Sequence, residues 1–258
     1  MEYVEIQDES VPKIGLGTWN MRGEACYRAT LSALELGYRH IDTAEMYHNE
    51  SEVGRAIADS GADRSDIFLV TKVSASHLSH EGVLQAAESS LQRLSLDTID
   101  LYLVHWPNDR IPIEETMAGM NELVDNGKVR RIGVSNFSAR QLGEAEGSSS
   151  ARIFTNQIEY FIGHPQEAML RYCQENEILL TAYSPLDRGH LRRNRALEAI
   201  AEAHGVTVAQ IALRWLIQQE NVVAIPKSVH PGRQRENLDV FSFELSSEQM
   251  VGLGSAYR

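Results

Sequence analysis

Asp42, Tyr47, Lys72 and His105 each stand at or just past the end of an apolar run, in YRHIDTAEMYHNE, IFLVTKV and LYLVHWP. Asp and Lys are seldom buried unless paired, so packing alone explains such placements poorly. Brought together, a carboxylate, a phenol, an ammonium and an imidazole could protonate a carbonyl oxygen. Asp42 is the natural counter-charge for Lys72. A phenol titrates near pH ~10 in isolation, and a nearby ammonium favours the phenolate. Tyr47 is therefore expected to have a lowered pKa and to act as a general acid near neutrality. His105 could orient a substrate oxygen. Singly, each residue has an ordinary reading: a capped turn, a packed aromatic, a core histidine. Their joint occurrence at consecutive strand ends points to an enzyme.

The elements that must position them are β-rich runs at 15–19, 38–41, 67–73, 100–105, 131–135, 154–158, 178–183 and 222–225. Residues 68, 70 and 72 share one strand face, as do 101, 103 and 105, so inward faces would bring Lys72 and His105 to one mouth. Amphipathic patterns at 25–36, 50–60, 82–94, 113–125, 165–175, 195–204 and 207–218 separate most of the runs. Thr207 with Gln210, and Ser246 with Gln249, have the spacing of helix-starting capping boxes. Eightfold strand–helix alternation implies a parallel sheet. The count of eight, with polar residues at several C-terminal strand ends, favours a (β/α)8 TIM barrel over an open sheet. One domain is expected over residues 1–258. Alternating apolar and polar residues between Tyr3 and Ile14 predict a short β-hairpin closing the barrel's bottom.

The segment AIPKSVHPGRQREN, residues 224–237, follows the last run and opens a helix. Lys227, Ser228 and Arg233 beside helix-start N–H groups would make an anion site. Gly15-Leu-Gly17 begins a GxG, but position 20 is Asn and no βαβ unit surrounds it, so it is no dinucleotide fingerprint. His77 and His80 lack a third ligand, and no metal site is expected.

A net charge of −12 argues against a nucleic-acid-binding surface. The only lysines are Lys13, Lys72, Lys128 and Lys227. That scarcity suits a high-salt cytoplasm, and a GC-rich genome would produce it as well. Two cysteines without framework spacing, an acidic N-terminus and no membrane-length apolar run predict a cytoplasmic protein with no membrane partner.

The segments GLGTW (15–19), GYRHIDTAEMYHNESEVG (37–54), Thr71-Lys72, DLYLVHWP (100–107), GKVRRIGVSNF (127–137), NQIEY (156–160), AYSPL (182–186) and IPKSV…REN (225–237) run in one order along nearly the whole chain. Together they resemble the aldo-keto reductase family, in its compact prokaryotic form. The resemblance implies an NADPH-dependent carbonyl reductase, with Asp42, Tyr47, Lys72 and His105 as catalytic tetrad and Tyr47 as proton donor. It implies that Ser135, Asn136 and Gln157 hold the nicotinamide carboxamide and that Tyr183 stacks on the nicotinamide ring. Ser184 and Leu186 match pyrophosphate-loop positions. Lys227, Ser228, Arg233, Glu236 and Asn237 match the adenosine-phosphate end. Trp19, Trp106 and His105 would contact a small carbonyl substrate, with Asn20, Met21, His77 and Leu78 as further lining of an open pocket. A monomer is the expected state. Two alternatives stand beside this reading: a Schiff-base barrel using Lys72, and a non-catalytic NADPH-binding regulator.

Overall fold

A hairpin of β1 (Tyr3–Ile6) and β2 (Glu9–Pro12) opens the chain in the computed structural model, which describes residues 1–193 and 195–255. Eight parallel strands follow: β3 (Leu16–Gly17), β4 (His40–Asp42), β5 (Phe68–Val73), β6 (Ile99–Val104), β7 (Val129–Ser135), β8 (Ile153–Glu159), β9 (Leu179–Tyr183) and β10 (Val222–Ala224). They pair in chain order from β3 to β10. The ring closes where Ile14 bridges Ala224, with Gly15 N–H donating to Ala224 O at 2.9 Å and Ala224 N–H to Lys13 O at 2.9 Å. The expected (β/α)8 barrel is therefore present.

Around it lie α1 (Gly23–Glu35), α2 (Glu50–Asp59), α3 (His80–Leu94), α4 (Ile113–Asp125), α5 (Ala139–Gly147), α6 (Glu167–Glu175), α7 (Arg195–His204), α8 (Val208–Ile217), α9 (Pro231–Leu238) and α10 (Ser247–Ser255). The helix α5 is one that apolar periodicity does not reveal. Its signal is the capping box of Ser138 and Gln141, which is formed in full. The boxes at Thr207 and Ser246 also form. The first barrel strand is shorter than its apolar run, because the chain turns away at Asn20 with φ 66°.

Every position of β5 and β6 is buried, as a parallel strand covered on both faces requires. Phe68, Val70, Leu101, Leu103, Phe154, Leu179 and Val223 fill the barrel and meet Val4, Ile6 and Val11 of the hairpin. The hairpin turn places Gln7 and Asp8 at φ 48° and 60°, the type I′ geometry that matches strand twist. The hairpin is a stopper for the bottom of the barrel, as the alternation of residues 3–14 predicts.

Two glycines set close approaches. A Cβ on Gly17 would lie 2.7 Å from the Ile225 carbonyl oxygen, so β3 presses against the exit of β10. A Cβ on Gly54 would overlap the Leu94 carbonyl, where α2 meets the end of α3.

Candidate active site

Lys72 sits near the C-terminal end of the apolar strand β5, wholly buried, and its ammonium donates to Asp42 Oδ1 at 2.6 Å and to Thr43 O at 2.8 Å. Burial alone would lower its pKa. The Asp42 carboxylate, together with Tyr47, outweighs that and holds the ammonium above its ordinary value. Gln157 on β8 donates to the other Asp42 oxygen, Oδ2, at 2.7 Å. The carboxylate is thus bonded at both oxygens, which is what makes a buried charge tolerable.

Tyr47 follows β4 in a short 3-10 turn, Glu45–Tyr47, and its hydroxyl lies 3.5 Å from Lys72 Nζ. The Lys72 ammonium also lies 5.1 Å from the centre of the Tyr47 ring. His105 faces the same phenol, ring centres 5.5 Å apart at 76°. All four expected catalytic residues therefore converge. The expected lowering of the Tyr47 pKa is not what this geometry produces. Burial raises it; Lys72 offsets part of that rise, and Asp42 opposes Lys72 because its charge already matches the ammonium. Tyr47 is a neutral phenol throughout the ordinary pH range. Burial, with the Lys72 charge behind it, pushes His105 down to about 3, so its ring is uncharged at working pH. Its Nδ1 is buried without a hydrogen-bond partner among the described residues.

Three residues that sequence reasoning passed over hold the Tyr47 turn. Asn49 accepts from Thr43 Oγ1 at 2.6 Å and donates to Thr18 O and Met21 O at 3.1 and 3.0 Å. Glu45 accepts from Ser74 N–H at 2.9 Å and contacts His77 Nδ1 at 2.8 Å. Glu50, buried, accepts from Thr71 Oγ1 at 2.6 Å and from Arg93 Nε at 2.7 Å. The turn is thereby tied to the loop after β3, to the loop after β5 and to β5 itself. The only available signal was the run of polar residues beginning α2, which reads as a solvated helix start.

Ser135, Asn136, Gln157 and Tyr183 form one network. Ser135 Oγ donates to Gln157 O at 2.8 Å, Asn136 Nδ2 to His105 O at 3.1 Å, and the Tyr183 hydroxyl to Asn136 Oδ1 at 2.9 Å. Burial pushes the Tyr183 phenol up to about 12. Ser184 and Leu186 lie in the loop after β9, where Ser184 takes φ 50° and turns the chain. Ser228, Glu236 and Asn237 belong to a separate group at α9, with Glu236 accepting from Thr207 Oγ1 at 2.7 Å. Lys227 and Arg233 are exposed there. Lys13, Lys72 and Lys128 are each in an ion pair, whereas Lys227 and Arg233 have no carboxylate partner among the described residues. Two free cations at a helix start suit a phosphate group.

Trp19 and Trp106 are exposed at 57% and 47%, and Met46, beside Tyr47, at 50%. Exposed large apolar groups beside the tetrad suit substrate contact. Asn20 and His77 are exposed as well. Met21 and Leu78 do not line an open pocket as expected; both are buried in the core between barrel and helices. A groove of about 650 Å³ on the outer helical layer is lined by Arg55 and Arg93, which already pair with Glu24 and Glu50, and we assign it no part. Among the described residues no cluster of three metal-ligating side chains occurs, and no helix is long and apolar enough to cross a membrane.

The profile of the aldo/keto reductase family matches residues 13–258. An aldo-keto reductase of Mycolicibacterium smegmatis is 44% identical over 95% of this chain and 90% of its own. The glyoxal reductase of Bacillus subtilis is 41% identical over 93% of this chain and 87% of its own. The solved structure of a thermostable aldo-keto reductase in complex with the inhibitor epalrestat superposes with a TM-score of 0.94 at 43% identity, covering 99% of both chains. With barrel and sequence in agreement over nearly its whole length, the chain belongs to the aldo/keto reductase family and is an oxidoreductase that reduces carbonyl groups.

Proposed function

We propose that the protein is an NADPH-dependent reductase of aldehydes and ketones in which Tyr47 donates the proton. The observation that carries this reading is the wholly buried Lys72–Asp42 pair set against the Tyr47 hydroxyl. When bound, NADPH supplies a hydride to the carbonyl carbon. Tyr47 gives its proton to the carbonyl oxygen. Lys72 stabilises the phenolate that results, and Asp42 keeps Lys72 charged. Neutral His105 orients the oxygen. Donors fixed before reaction stabilise the developing oxyanion without reorganising.

Ser135, Asn136 and Gln157 would hold the carboxamide and Tyr183 the ring face. Ser184 and Leu186 would flank the pyrophosphate. Lys227, Ser228, Arg233, Glu236 and Asn237 would take the adenosine phosphate, and the unpaired state of Lys227 and Arg233 supports NADPH over NADH. Trp19, Met46 and Trp106 suit small aldehydes, keto-sugars and α-dicarbonyls, and similarity to a glyoxal reductase favours the last class. The Schiff-base alternative needs a neutral amine, whereas Asp42 holds Lys72 as an ammonium. We further infer a single-domain monomer in a reducing cytoplasm. In support, both cysteines are free and buried, and burial pushes their thiols up to about 11 at Cys26 and about 12 at Cys173.

The test is oxidation of NADPH and NADH in the presence of an aromatic aldehyde, methylglyoxal and a keto-sugar, beside Tyr47→Phe. We expect NADPH-dependent turnover that falls at least ~100-fold in the variant, as loss of a general acid implies. Turnover undiminished in Tyr47→Phe would refute the role of Tyr47.

A further inference from the structure

Gln234 is wholly buried in the first turns of α9, although Arg233 and Arg235 on either side are exposed. A buried amide must be satisfied, and its partners here lie on other elements. Its Oε1 accepts from Ser32 Oγ at 2.9 Å. Its Nε2 donates to Ala29 O at 2.8 Å and to Ser228 O at 3.0 Å. Its own carbonyl accepts from the Tyr38 hydroxyl at 2.9 Å. Packing α9 on α1 requires only an apolar side chain of this volume. The bond to Ser228 does something more. Lys227 precedes Ser228 and Arg233 precedes Gln234, so this bond, with Gln234 N–H donating to His230 O at 3.0 Å and His230 N–H to Ser228 Oγ at 3.1 Å, holds the spacing of two cations that no carboxylate restrains among the described residues. The start of the same loop is fixed by Gly17 N–H donating to Pro226 O at 3.2 Å.

We propose that Gln234 is a positioning residue for selectivity, setting Lys227 and Arg233 at the separation a 2′-phosphate monoester requires. This rests on the NADPH reading above. A ligand with a 2′-hydroxyl in place of the phosphate makes little use of that separation. Loss of the bond should therefore weaken NADPH and spare NADH.

The test measures dissociation constants of NADPH and NADH by quenching of tryptophan fluorescence in the full chain. Gln234→Met keeps the volume and removes the bonds. The expected result is an NADPH dissociation constant raised about fivefold to tenfold, the worth of one net hydrogen bond. The NADH constant should change less than about twofold, with kcat at saturating NADPH unchanged. Ser32→Ala, which leaves the Ser228 contact intact, should not alter the NADPH-to-NADH ratio. Gln234→Asn keeps the amide but draws it back from Ser228; it should shift the ratio the same way and serves if the Met variant does not fold. Equal weakening of both nucleotides, or unaltered NADPH affinity in a folded variant, would overturn the proposal while leaving the cofactor reading intact. Wild-type protein that binds neither nucleotide would remove the cofactor reading and the proposal with it.

Discussion

Gln157 on β8 reaches Asp42 on β4 at 2.7 Å, linking strands that stand four apart in a ring of eight. The amide spans the barrel and holds the carboxylate on the side away from Lys72. A residue expected only to contact cofactor is thus also part of what keeps the ion pair in place. Gln157→Leu leaves Asp42 Oδ2 without this donor inside the barrel. We expect stability to fall by about 1–3 kcal/mol, the cost of an unsatisfied buried polar group. Urea unfolding measures this, and a loss under ~0.5 kcal/mol would show that the bond is dispensable.

Lys72→Met removes one member of a buried pair and strands the other. The cost should be about 3–5 kcal/mol. Asp42→Asn placed on top removes the stranded charge, so the double variant should be more stable than Lys72→Met alone. A double-mutant cycle by denaturant unfolding decides it. Additive losses would mean that the two charges do not depend on each other.

His105 binds its proton at about 3 in the folded chain against an ordinary 6.5. Between those values the unfolded chain carries a proton that the folded chain lacks. Stability therefore falls as pH drops below ~6.5, with a slope approaching ~1.4 kcal/mol per pH unit from this group. His40, lowered chiefly by burial, adds to the slope with the same sign. His105→Gln should flatten the pH 4–6.5 region and leave the dependence above pH ~7 unchanged. Thermal unfolding across that range is the measurement; an unchanged acid slope would mean that His105 is protonated in the fold.

Gly54→Ala should destabilise by at least about 1–3 kcal/mol through overpacking, because the new methyl meets the Leu94 backbone rather than a yielding side chain. Gly147→Ala, where a Cβ meets nothing within 4 Å, is the control. Comparable midpoints in urea for the two variants would disprove the tight contact between α2 and α3.

The barrel was legible because it is written in strands, and Asp42, Lys72 and His105 stand in or directly after them. Apolar runs such as FLVTKV end in a charge that stands out, and period two assigns its face. The bottom hairpin was legible for the same reason. The turn holding Tyr47 was not, since Glu45, Asn49 and Glu50 owe their roles to partners on other elements. Gln234 is the extreme case: its Ala29 partner lies 205 residues away. The direction of the Tyr47 pKa shift was misread because proximity to Lys72 follows from strand order, whereas depth of burial does not. The helix α5 was missed because its start is marked by capping rather than by apolar periodicity.

The stopper of Val4, Ile6 and Val11 gives the barrel a floor. With that floor and a packed interior, the mouth at the C-terminal strand ends is the one doorway, shared by everything that enters or leaves through it. If a nucleotide lies along the strand ends and a carbonyl compound settles over it between Trp19 and Trp106, the second arrival blocks the way out for the first. Traffic is then last in, first out, an ordering imposed by the single mouth at the C-terminal strand ends.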